Sequence, residues 1–268
     1  MTVDVPTAVV TGSSSGLGRG TAERLTSLGW QVLGTVRGDV AGLPFETVRC
    51  DVTDDEAVDA LGRQVLSRWG RLDALVNNAG IAVCGPLEEI APQELRRQLD
   101  VNTVAPFALA RSCLPALRAA SGVVVQVSSV SGVVADAMFG AYNASKFALE
   151  GGSEALAAEL APQGVRVVVV EPGPFRTGIA GRGDETAGRG STGLYGEAWA
   201  ELGAWQAWHG SQSADPAACV EAIVSAVTRP DAPFRVPVGE GIADELRRRA
   251  QELLAQADAA EAFLCPAG

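Results

Sequence analysis

Lysine, histidine and tyrosine are scarce in this sequence: the 268 residues include one lysine, Lys146, one histidine, His209, and two tyrosines. A single histidine excludes a histidine metal cluster. The five cysteines are odd in number, widely spaced and free of any C-x-x-C pattern, so neither a disulfide framework nor a zinc site is predicted. We therefore expect reduced cysteines, no metal site and a cytoplasmic protein.

Long apolar runs and an excess of positive charge are also lacking. The first residues, MTVDVPTAVVTG, contain neither a basic segment nor an apolar segment of signal-peptide length, and no window of about 18 apolar residues follows. Neither export nor membrane spanning is expected. A formal net charge of -11 and a pI near 4.6 disfavour nucleic acid and anionic membranes as partners. The composition favours a protein that binds a small molecule.

Short β-branched runs alternate with helix-length amphipathic stretches as far as about residue 173. The strand-like runs are TAVVTG, QVLGTV, TVRCDV, LDALVNNAG, GVVVQVSS and VRVVVVEPG, and helices are predicted over about 16–28, 54–69, 92–119 and 142–161. Nearly continuous valine runs indicate strands covered on both faces. The pattern predicts an α/β fold with a single doubly wound Rossmann-type parallel sheet, helices on both faces, and a ligand crevice beyond the carboxyl ends of the strands.

The alternation lapses from Thr177 to about Asp215 in a glycine-rich segment with a tryptophan cluster. We predict a substrate-binding loop or lid over about 178–215, because its many glycines favour hinge behaviour. Residues 216–268 are predicted to form a helix, the strand FRVPV and a last helix at about 242–262. Since no internal repeat or long linker separates these parts, one domain is expected over 1–268.

A glycine-rich turn, TGSSSGLG, follows the first strand directly. Gly12, Gly16 and Gly18 stand where the strand turns into a helix, and glycine there lets backbone N–H groups approach a pyrophosphate. Ser14, Ser15 and Leu17 belong to the same turn. The spacing G-x-x-x-G-x-G differs from the common G-x-G-x-x-G fingerprint. A tight strand-to-helix corner without a ligand is the open alternative.

Together with this turn, several further motifs resemble the short-chain dehydrogenase/reductase family. They are CDV at 50–52, NNAG at 77–80, Asn102, the serines at 128 and 129, YNASK at 142–146 and PG at 172–173. They occur in the family's order from about Thr7 to Thr177. The resemblance implies a nicotinamide dinucleotide cofactor and the interconversion of a ketone and a secondary alcohol. It also implies a homodimer or homotetramer assembled through the long helices near 92–119 and 142–161.

The only lysine stands one helical turn from a tyrosine, which puts Tyr142 and Lys146 on one helix face. A chain that otherwise uses arginine indicates, by keeping this lysine, a need for its compact ammonium. A nearby ammonium favours the phenolate, so a lowered pKa of Tyr142 is expected. The resemblance implies that Tyr142 donates a proton to the carbonyl oxygen and that Lys146 also holds the nicotinamide ribose.

Two serines end the strand GVVVQVSS, and only one of them can face the crevice because neighbouring strand residues point to opposite sides. Ser129 lies 13 residues before Tyr142, the spacing usual in the family, and is predicted to be the catalytic serine. Ser128 is expected to serve the backbone or packing. Asn102 matches the family's asparagine that loosens its helix and relays protons through water to the lysine. A merely structural helix asparagine is the alternative.

The end of the second strand, GTVRG, bears on cofactor choice. Val36 stands near the position where an aspartate would bind the adenosine ribose of NAD, and Arg37 offers a fork suited to a 2'-phosphate. NADP(H) is therefore favoured over NAD(H), although Arg37 stacking on adenine would suit either. Tyr142 and Lys146 are also expected to contact the cofactor. The other positions that match the family's cofactor site are Asp51, Val52, Asn78, Ala79, Gly80, Pro172, Gly173 and Thr177.

Trp199, Trp205 and Trp208 fall within ten residues of a stretch that can be helical. Either their shared face packs on the core, or part of it forms an apolar wall over the active site. The second interpretation favours a bulky apolar or aromatic ketone or alcohol as substrate. The competing functional class is a cofactor-binding protein of the same fold with repurposed or non-redox activity, such as an isomerase, a lyase or a regulator. A pure binding module would not need Asn102, Ser129, Tyr142 and Lys146 together.

Overall fold

A parallel sheet organises the chain, whose residues 5–176 and 192–264 are described by a computed structural model. Its strands are β1 (Thr7–Val10), β2 (Gln31–Val36), β3 (Glu46–Arg49), β4 (Ala74–Asn77), β5 (Val123–Val127), β6 (Arg166–Pro172) and β7 (Arg235–Val238). They lie side by side in the order β3-β2-β1-β4-β5-β6-β7, and all neighbours are parallel. The order reverses between β1 and β4, which is where a doubly wound sheet opens its ligand crevice. The predicted fold class is confirmed.

Within the described residues, seven helices lie in connections between these strands, and an eighth follows β7. They are α1 (Gly16–Ser27), α2 (Asp55–Trp69), α3 (Pro92–Leu99), α4 (Ala105–Ala120), α5 (Gly140–Leu160), α6 (Gly196–Gln212), α7 (Ala217–Thr228) and α8 (Ile242–Leu264). The stretch predicted as one helix at 92–119 is helical throughout, but a π-helical turn over Asp100–Val104 separates α3 from α4. Of the predicted loop at 178–215, residues 178–191 lie outside the described part of the chain, and α6 follows soon after them.

The valine-rich strands are buried because each face of the sheet has its own core. On one side Ala8 and Val10 of β1 pack with α1 and α7. On the other side Val9 packs with α2 and α4. Side chains alternate between the faces of a strand, so a strand covered on both faces is mostly apolar along its whole length. This packing explains the runs from which the sheet was predicted.

Local signals set the ends of α2. Asp54 caps its N-terminus by accepting hydrogen bonds from the backbone N–H groups of Glu56 and Ala57. Acidic residues in the first turn suit the positive end of the helix dipole. Gly70 ends the helix with a φ of 67°, in the left-handed region that glycine adopts most readily. The helix begins and ends where the sequence predicts, at about 54–69.

Two carboxylates, Glu150 and Glu171, are buried beside the partly exposed Arg235, where α5 meets β6 and β7. Arg235 Nε lies 3.3 Å from Glu150 Oε2 and 3.3 Å from Glu171 Oε1, while its Nη2 lies 3.1 Å from the exposed Glu154. Glu171 is fully buried, and within the described structure neither of its carboxylate oxygens accepts a hydrogen bond. Burial, together with the charge of Glu150, raises the pKa of Glu171 from 4.5 to about 7, against the opposing charge of Arg235.

Replacing Glu171 by glutamine should therefore change how stability depends on pH. The folded chain holds the Glu171 proton more tightly than the unfolded chain, so this stabilisation is complete below pH ~4.5 and is lost as the pH rises to ~7. Glutamine stays neutral, so the unfolding temperature of Glu171→Gln should lie about 4 °C above that of the wild type at pH ~8 and equal it at pH ~4.5. The difference at pH ~8 corresponds to a free energy of unfolding on the order of 2 kcal/mol. Thermal unfolding across this pH range measures the difference.

Glu154→Gln is the matched control, because it removes an exposed carboxylate from the same arginine. Its unfolding temperature should follow that of the wild type across the pH range. A constant offset between Glu171→Gln and the wild type at every pH would contradict a pKa of Glu171 that folding raises.

Candidate active site

The glycine-rich turn lies at the crevice between β1 and β4. Gly12 and Gly16 have φ values of 65° and 59°, which side chains other than glycine rarely adopt. A Cβ on Gly12 would come within 3.0 Å of Ala79 Cα, and one on Gly18 within 2.3 Å of Asn78 Nδ2. Asn78 Nδ2 in turn donates a hydrogen bond to Thr11 O at 2.8 Å. The turn is thus held close against the end of β4.

The start of α1 suits a bound anion. The helix begins at Gly16 directly after the turn, and its first turn contains no acidic residue. Backbone N–H groups at the N-terminus of a helix point towards a ligand there, and the helix dipole favours negative charge. Ser14, Ser15 and Leu17 border the same cleft. The backbone and this lining fit the pyrophosphate of a dinucleotide.

The residues at the carboxyl ends of β2 and β3 border the same cleft as this turn. Val36 is buried, whereas Arg37 is exposed and borders the cleft together with Asp51 and Val52. Asp51 accepts hydrogen bonds from the backbone N and the Oγ1 of Thr53, at 3.0 and 2.8 Å. These bonds, and to a smaller extent the charge of Arg37, lower the pKa of Asp51. The residue that ends β2 is therefore apolar, and the next is a cation.

Ser129, Tyr142 and Lys146 come together where β5 ends against α5. The Ser129 hydroxyl faces the Tyr142 phenol and lowers its pKa, while burial raises that pKa more strongly, to about 12 overall. Ser128 lies on the other side, where its hydroxyl neighbours Gly132 and Glu150. The two serines thus face different ways, as the alternation along a strand requires.

The ammonium of Lys146 is buried behind the tyrosine. Its Nζ donates a hydrogen bond to Val127 O at 2.8 Å and lies 5.8 Å from the centre of the Tyr142 ring. Burial lowers the pKa of Lys146 to about 8, partly offset by the charge of Glu150. The expectation that the ammonium lowers the pKa of Tyr142 is wrong in direction, because loss of solvent around the phenolate outweighs the favourable contacts.

Asn102 occupies the π-helical turn between α3 and α4. Its Nδ2 donates to Ile81 O at 2.9 Å and to Ser145 Oγ at 3.1 Å, and its Oδ1 accepts from Ile81 N at 3.0 Å. The asparagine therefore ties the segment after β4 to α5, close to Lys146 in sequence. Its contacts fit the structural alternative, and a proton relay from Asn102 to the lysine stays a prediction.

Most of the predicted site residues border one cleft with a volume of about 980 Å³, at the upper end of the range of ligand pockets. The remaining predicted residues that border it are Asn78, Ala79, Gly80, Pro172 and Gly173. Gly18 and Asn102 are not part of its lining; Gly18 packs beneath the turn and Asn102 behind the cleft. Thr177 lies outside the described residues.

One wall of the cleft was not predicted from the sequence. It contains Cys84, which was expected only to be a reduced cysteine, and Phe139 at the start of α5. Met138, just before Phe139, has a φ of 69°, a conformation that residues other than glycine adopt only when their surroundings hold it. The position of Phe139, three residues before Tyr142, could have indicated from the sequence that it lies near the site. Nothing in the sequence indicates this for Cys84.

The three tryptophans of α6 have different surroundings. Trp199 is buried, and its Nε1 donates to Glu89 Oε2 at 2.9 Å. Trp205 borders the cleft and meets Phe139 edge to face, with ring centres 5.0 Å apart. Trp208 is 47% exposed. The two alternatives for this cluster therefore apply to different members: Trp199 packs on the core, and Trp205 forms part of the cleft wall.

The described residues also bear on metals, disulfides and membranes. They contain no group of three or more histidine, cysteine or acidic side chains that could hold a metal ion. Cys50, Cys84, Cys113 and Cys219 are buried. Among the helices within 5–176 and 192–264, none is both long and apolar enough to cross a membrane.

Comparison with known proteins identifies the family. The family described as short chain dehydrogenase matches residues 6–187. An NADPH-dependent 3-dehydrocapnine reductase from Ornithobacterium rhinotracheale is 38% identical over 210 residues, 73% of this chain and 74% of that protein. A 3-ketodihydrosphingosine reductase from Bacteroides thetaiotaomicron is 34% identical over 233 residues, 86% of this chain and 87% of that protein.

Solved structures share the whole architecture. A short-chain dehydrogenase from Streptomyces avermitilis has a TM-score of 0.82 at 35% identity, covering 97% of each chain. A Burkholderia cenocepacia short chain dehydrogenase, solved with NADP, has a TM-score of 0.73 at 27% identity and 100% coverage of both chains. A Burkholderia phymatum relative, solved with NAD, has a TM-score of 0.82 at 25% identity and 96% coverage of both. The chain belongs to the short chain dehydrogenase family, an oxidoreductase family.

Proposed function

We propose that this protein is an NADP(H)-dependent oxidoreductase that interconverts a ketone and a secondary alcohol, with a bulky apolar or aromatic substrate. The observation that carries the proposal is the meeting of Ser129, Tyr142 and the only lysine at the carboxyl end of β5, inside a cleft that also contains the glycine-rich turn. The two relatives compared above are both named as reductases. A protein that only bound a dinucleotide would need the turn but not the three side chains.

Each of these side chains has a distinct part in the reaction. When bound, the nicotinamide supplies the hydride for reduction or accepts it in oxidation. The phenol of Tyr142, whose pKa is raised to about 12, is protonated at neutral pH and donates its proton to the carbonyl oxygen. The Ser129 hydroxyl donates a hydrogen bond to the same oxygen. Lys146 places a positive charge behind the tyrosine, which stabilises the phenolate left by proton transfer.

The preference for NADP(H) depends on the end of β2. Arg37 is exposed at the rim of the cleft, where its guanidinium can bind a 2'-phosphate in a bidentate manner. The preceding residue, Val36, is apolar. Between Val36 and Asp51, no carboxylate borders the cleft. The relative named as an NADPH-dependent reductase and the neighbour solved with NADP support this preference, whereas another neighbour of similar fold was solved with NAD.

The apolar wall supports a bulky substrate. Trp205 and Phe139 meet edge to face at the cleft, with Cys84 beside them. Aromatic rings give a large apolar contact area and pack well on flat or bulky ligands. The wall lies on the side of Tyr142, so a ketone whose oxygen meets the phenol would place its apolar groups against these rings. A small sugar or a charged acid would leave that surface without a matching partner.

Replacing Tyr142 by phenylalanine should abolish most turnover because the ring stays but the proton donor is lost. We expect kcat to fall by roughly 10²-fold or more while NADPH binding is kept. Lys146→Arg should also lose activity, since a planar guanidinium does not reproduce the compact, buried ammonium that donates to Val127 O. Loss of NADPH absorbance with a panel of ketones measures turnover, and fluorescence titration measures binding.

Tyr195→Phe is the matched control, because Tyr195 is the only other tyrosine and its hydroxyl donates to the exposed Glu88. Its turnover should stay within about threefold of the wild type, the change expected when a surface hydrogen bond is lost. Full turnover by Tyr142→Phe would refute the assignment. A wild type that binds NADPH but reduces no ketone and oxidises no alcohol would favour the repurposed alternative.

Arg37→Ala should weaken NADPH binding more than NADH binding. A charge-assisted bond to a phosphate contributes on the order of 1.5 to 3 kcal/mol, which is about tenfold to a hundredfold in Kd. The wild type should bind NADPH more tightly than NADH, and calorimetric titration of both cofactors measures the two ratios. Arg63→Ala, on the exposed side of α2, controls for loss of net charge. An equal loss for both cofactors would show that Arg37 does not bind the 2'-phosphate.

Trp205→Ala should narrow the difference in kcat/KM between a bulky aromatic ketone and a small aliphatic one by about fivefold, since a ring in contact with substrate contributes about 1 kcal/mol. The exposed Trp208→Ala should change neither substrate range nor unfolding temperature. Trp199→Ala should mainly lower the unfolding temperature, because the bond to Glu89 is lost. An unchanged substrate range in Trp205→Ala would leave the apolar wall without a role in selection.

A further inference from the structure

The C-terminal helix α8 presents an apolar surface to solvent. It starts within the body of the protein, where Ile242 is buried and lies close to Gly173. From Leu253 to Leu264 every residue is exposed. This half of the helix is about 18 Å long at 1.5 Å per residue. Leu254 is 67% exposed, and Phe263 and Leu264 are 83% and 75% exposed, which is unusual for side chains of this size.

The apolar residues of α8 follow the spacing of a two-helix seam. They recur in alternating steps of four and three and are Leu246, Ala250, Leu253, Ala257, Ala260 and Leu264. This is the heptad pattern in which one helix packs along another, and the three alanines among the six residues allow a close approach of the two axes. We refer to these six residues as the α8 stripe. A stripe of this kind stabilises a protein only when a second helix covers it.

Charges beside the stripe determine which second helix fits. Along one edge, Arg247, Leu254 and Glu261 follow each other at seven-residue intervals. When two copies of α8 pack antiparallel, residues on this edge meet each other about a central two-fold axis. Arg247 then lies opposite Glu261 of the second copy, Glu261 opposite Arg247, and Leu254 opposite itself. On the opposite edge of the stripe, Arg249 of one copy lies against the ring of Phe263 of the other copy.

The stripe itself agrees with this register. An antiparallel pair that matches the charged edge places Leu253 against Ala257, Ala250 against Ala260 and Leu246 against Leu264, so that every stripe residue meets another stripe residue. A parallel pair in register would instead place Gln256 beside Glu261 and Arg249 beside Leu254, without an ion pair between the helices. Only the antiparallel arrangement both pairs Arg247 with Glu261 between the helices and covers the exposed Leu254 with another apolar side chain.

We propose that α8 is an assembly arm, through which two copies of this chain associate by antiparallel packing of their α8 stripes around a two-fold axis at Leu254. The interface is isologous, since each copy contributes the same surface. It is separate from the proposed active site, although α8 begins beside it: Ile242 and Glu245 border the cleft.

A lipid surface fits the same helix less well. Residues 253–264 contain Asp258 and Glu261 but no lysine or arginine, and the chain carries a net charge of -11. Helices that bind anionic membranes are basic on their polar face, so the exposed half of α8 would be repelled rather than attracted. A second copy, by contrast, supplies the arginines that these carboxylates lack.

Sedimentation velocity of the full chain tests the arm. The wild type should sediment as an assembly with twice the mass of Leu254→Glu, which places two carboxylates at the axis. Leu28→Glu, a substitution of another exposed leucine at the end of α1, should keep the wild-type mass. NADPH binding by each variant checks that it is folded.

The charged edge gives a second, independent comparison. Arg247→Glu and Glu261→Arg should each reduce the assembled mass twofold, because each pairs like charges across the axis. An equimolar mixture of the two variants should regain the wild-type mass, since every ion pair is complementary again in the mixed pair. Equal masses for the wild type and Leu254→Glu, or a mixture that stays at half mass, would overturn the proposal. The wild type could instead bind vesicles of phosphatidylserine and phosphatidylcholine, with Leu254→Glu losing this binding while its sedimented mass equals that of the wild type. That result would overturn the proposal in favour of a membrane.

Discussion

Parallel strand pairing is the constraint on which the rest of this molecule depends. Because all strands run the same way, their carboxyl ends meet at one edge of the sheet. That edge brings the glycine turn after β1, Arg37 after β2, Asp51 after β3 and Ser129 after β5 within reach of one cleft, although they are far apart in sequence. The hydrogen bond from Lys146 to the last carbonyl of β5 then fixes α5, and with it Tyr142, against this edge.

Much of this arrangement could be predicted from the sequence because the signals are local. Uninterrupted valine runs require burial on both faces of the sheet, and the glycines after β1 require a tight turn. The alternation of side chains along a strand is enough to separate Ser128 from Ser129. The π-helical turn at Asn102 could not be derived from spacing, since it depends on hydrogen bonds to Ile81 and Ser145 that form only in the folded chain.

Other features depend on contacts that no pattern in the sequence encodes. The pKa of Tyr142 was expected to fall because a lysine stands one turn away, but burial acts on both groups and dominates. The cleft wall joins Cys84, Phe139 and Trp205 from three separate segments, so their proximity is a tertiary result. The pairing of Arg235 with Glu150 and Glu171 likewise joins β7 to α5 and β6.

The central claim is that this cleft transfers hydride to a ketone while Tyr142 supplies the proton. Reduction of a bulky aromatic ketone with NADPH deuterated at the nicotinamide C4, followed by mass spectrometry of the alcohol, tests it most directly. The account predicts one deuterium on the carbinol carbon when the label is on one face of the ring, and none when it is on the other. Alcohol without label from either cofactor, or no alcohol at all, would contradict it.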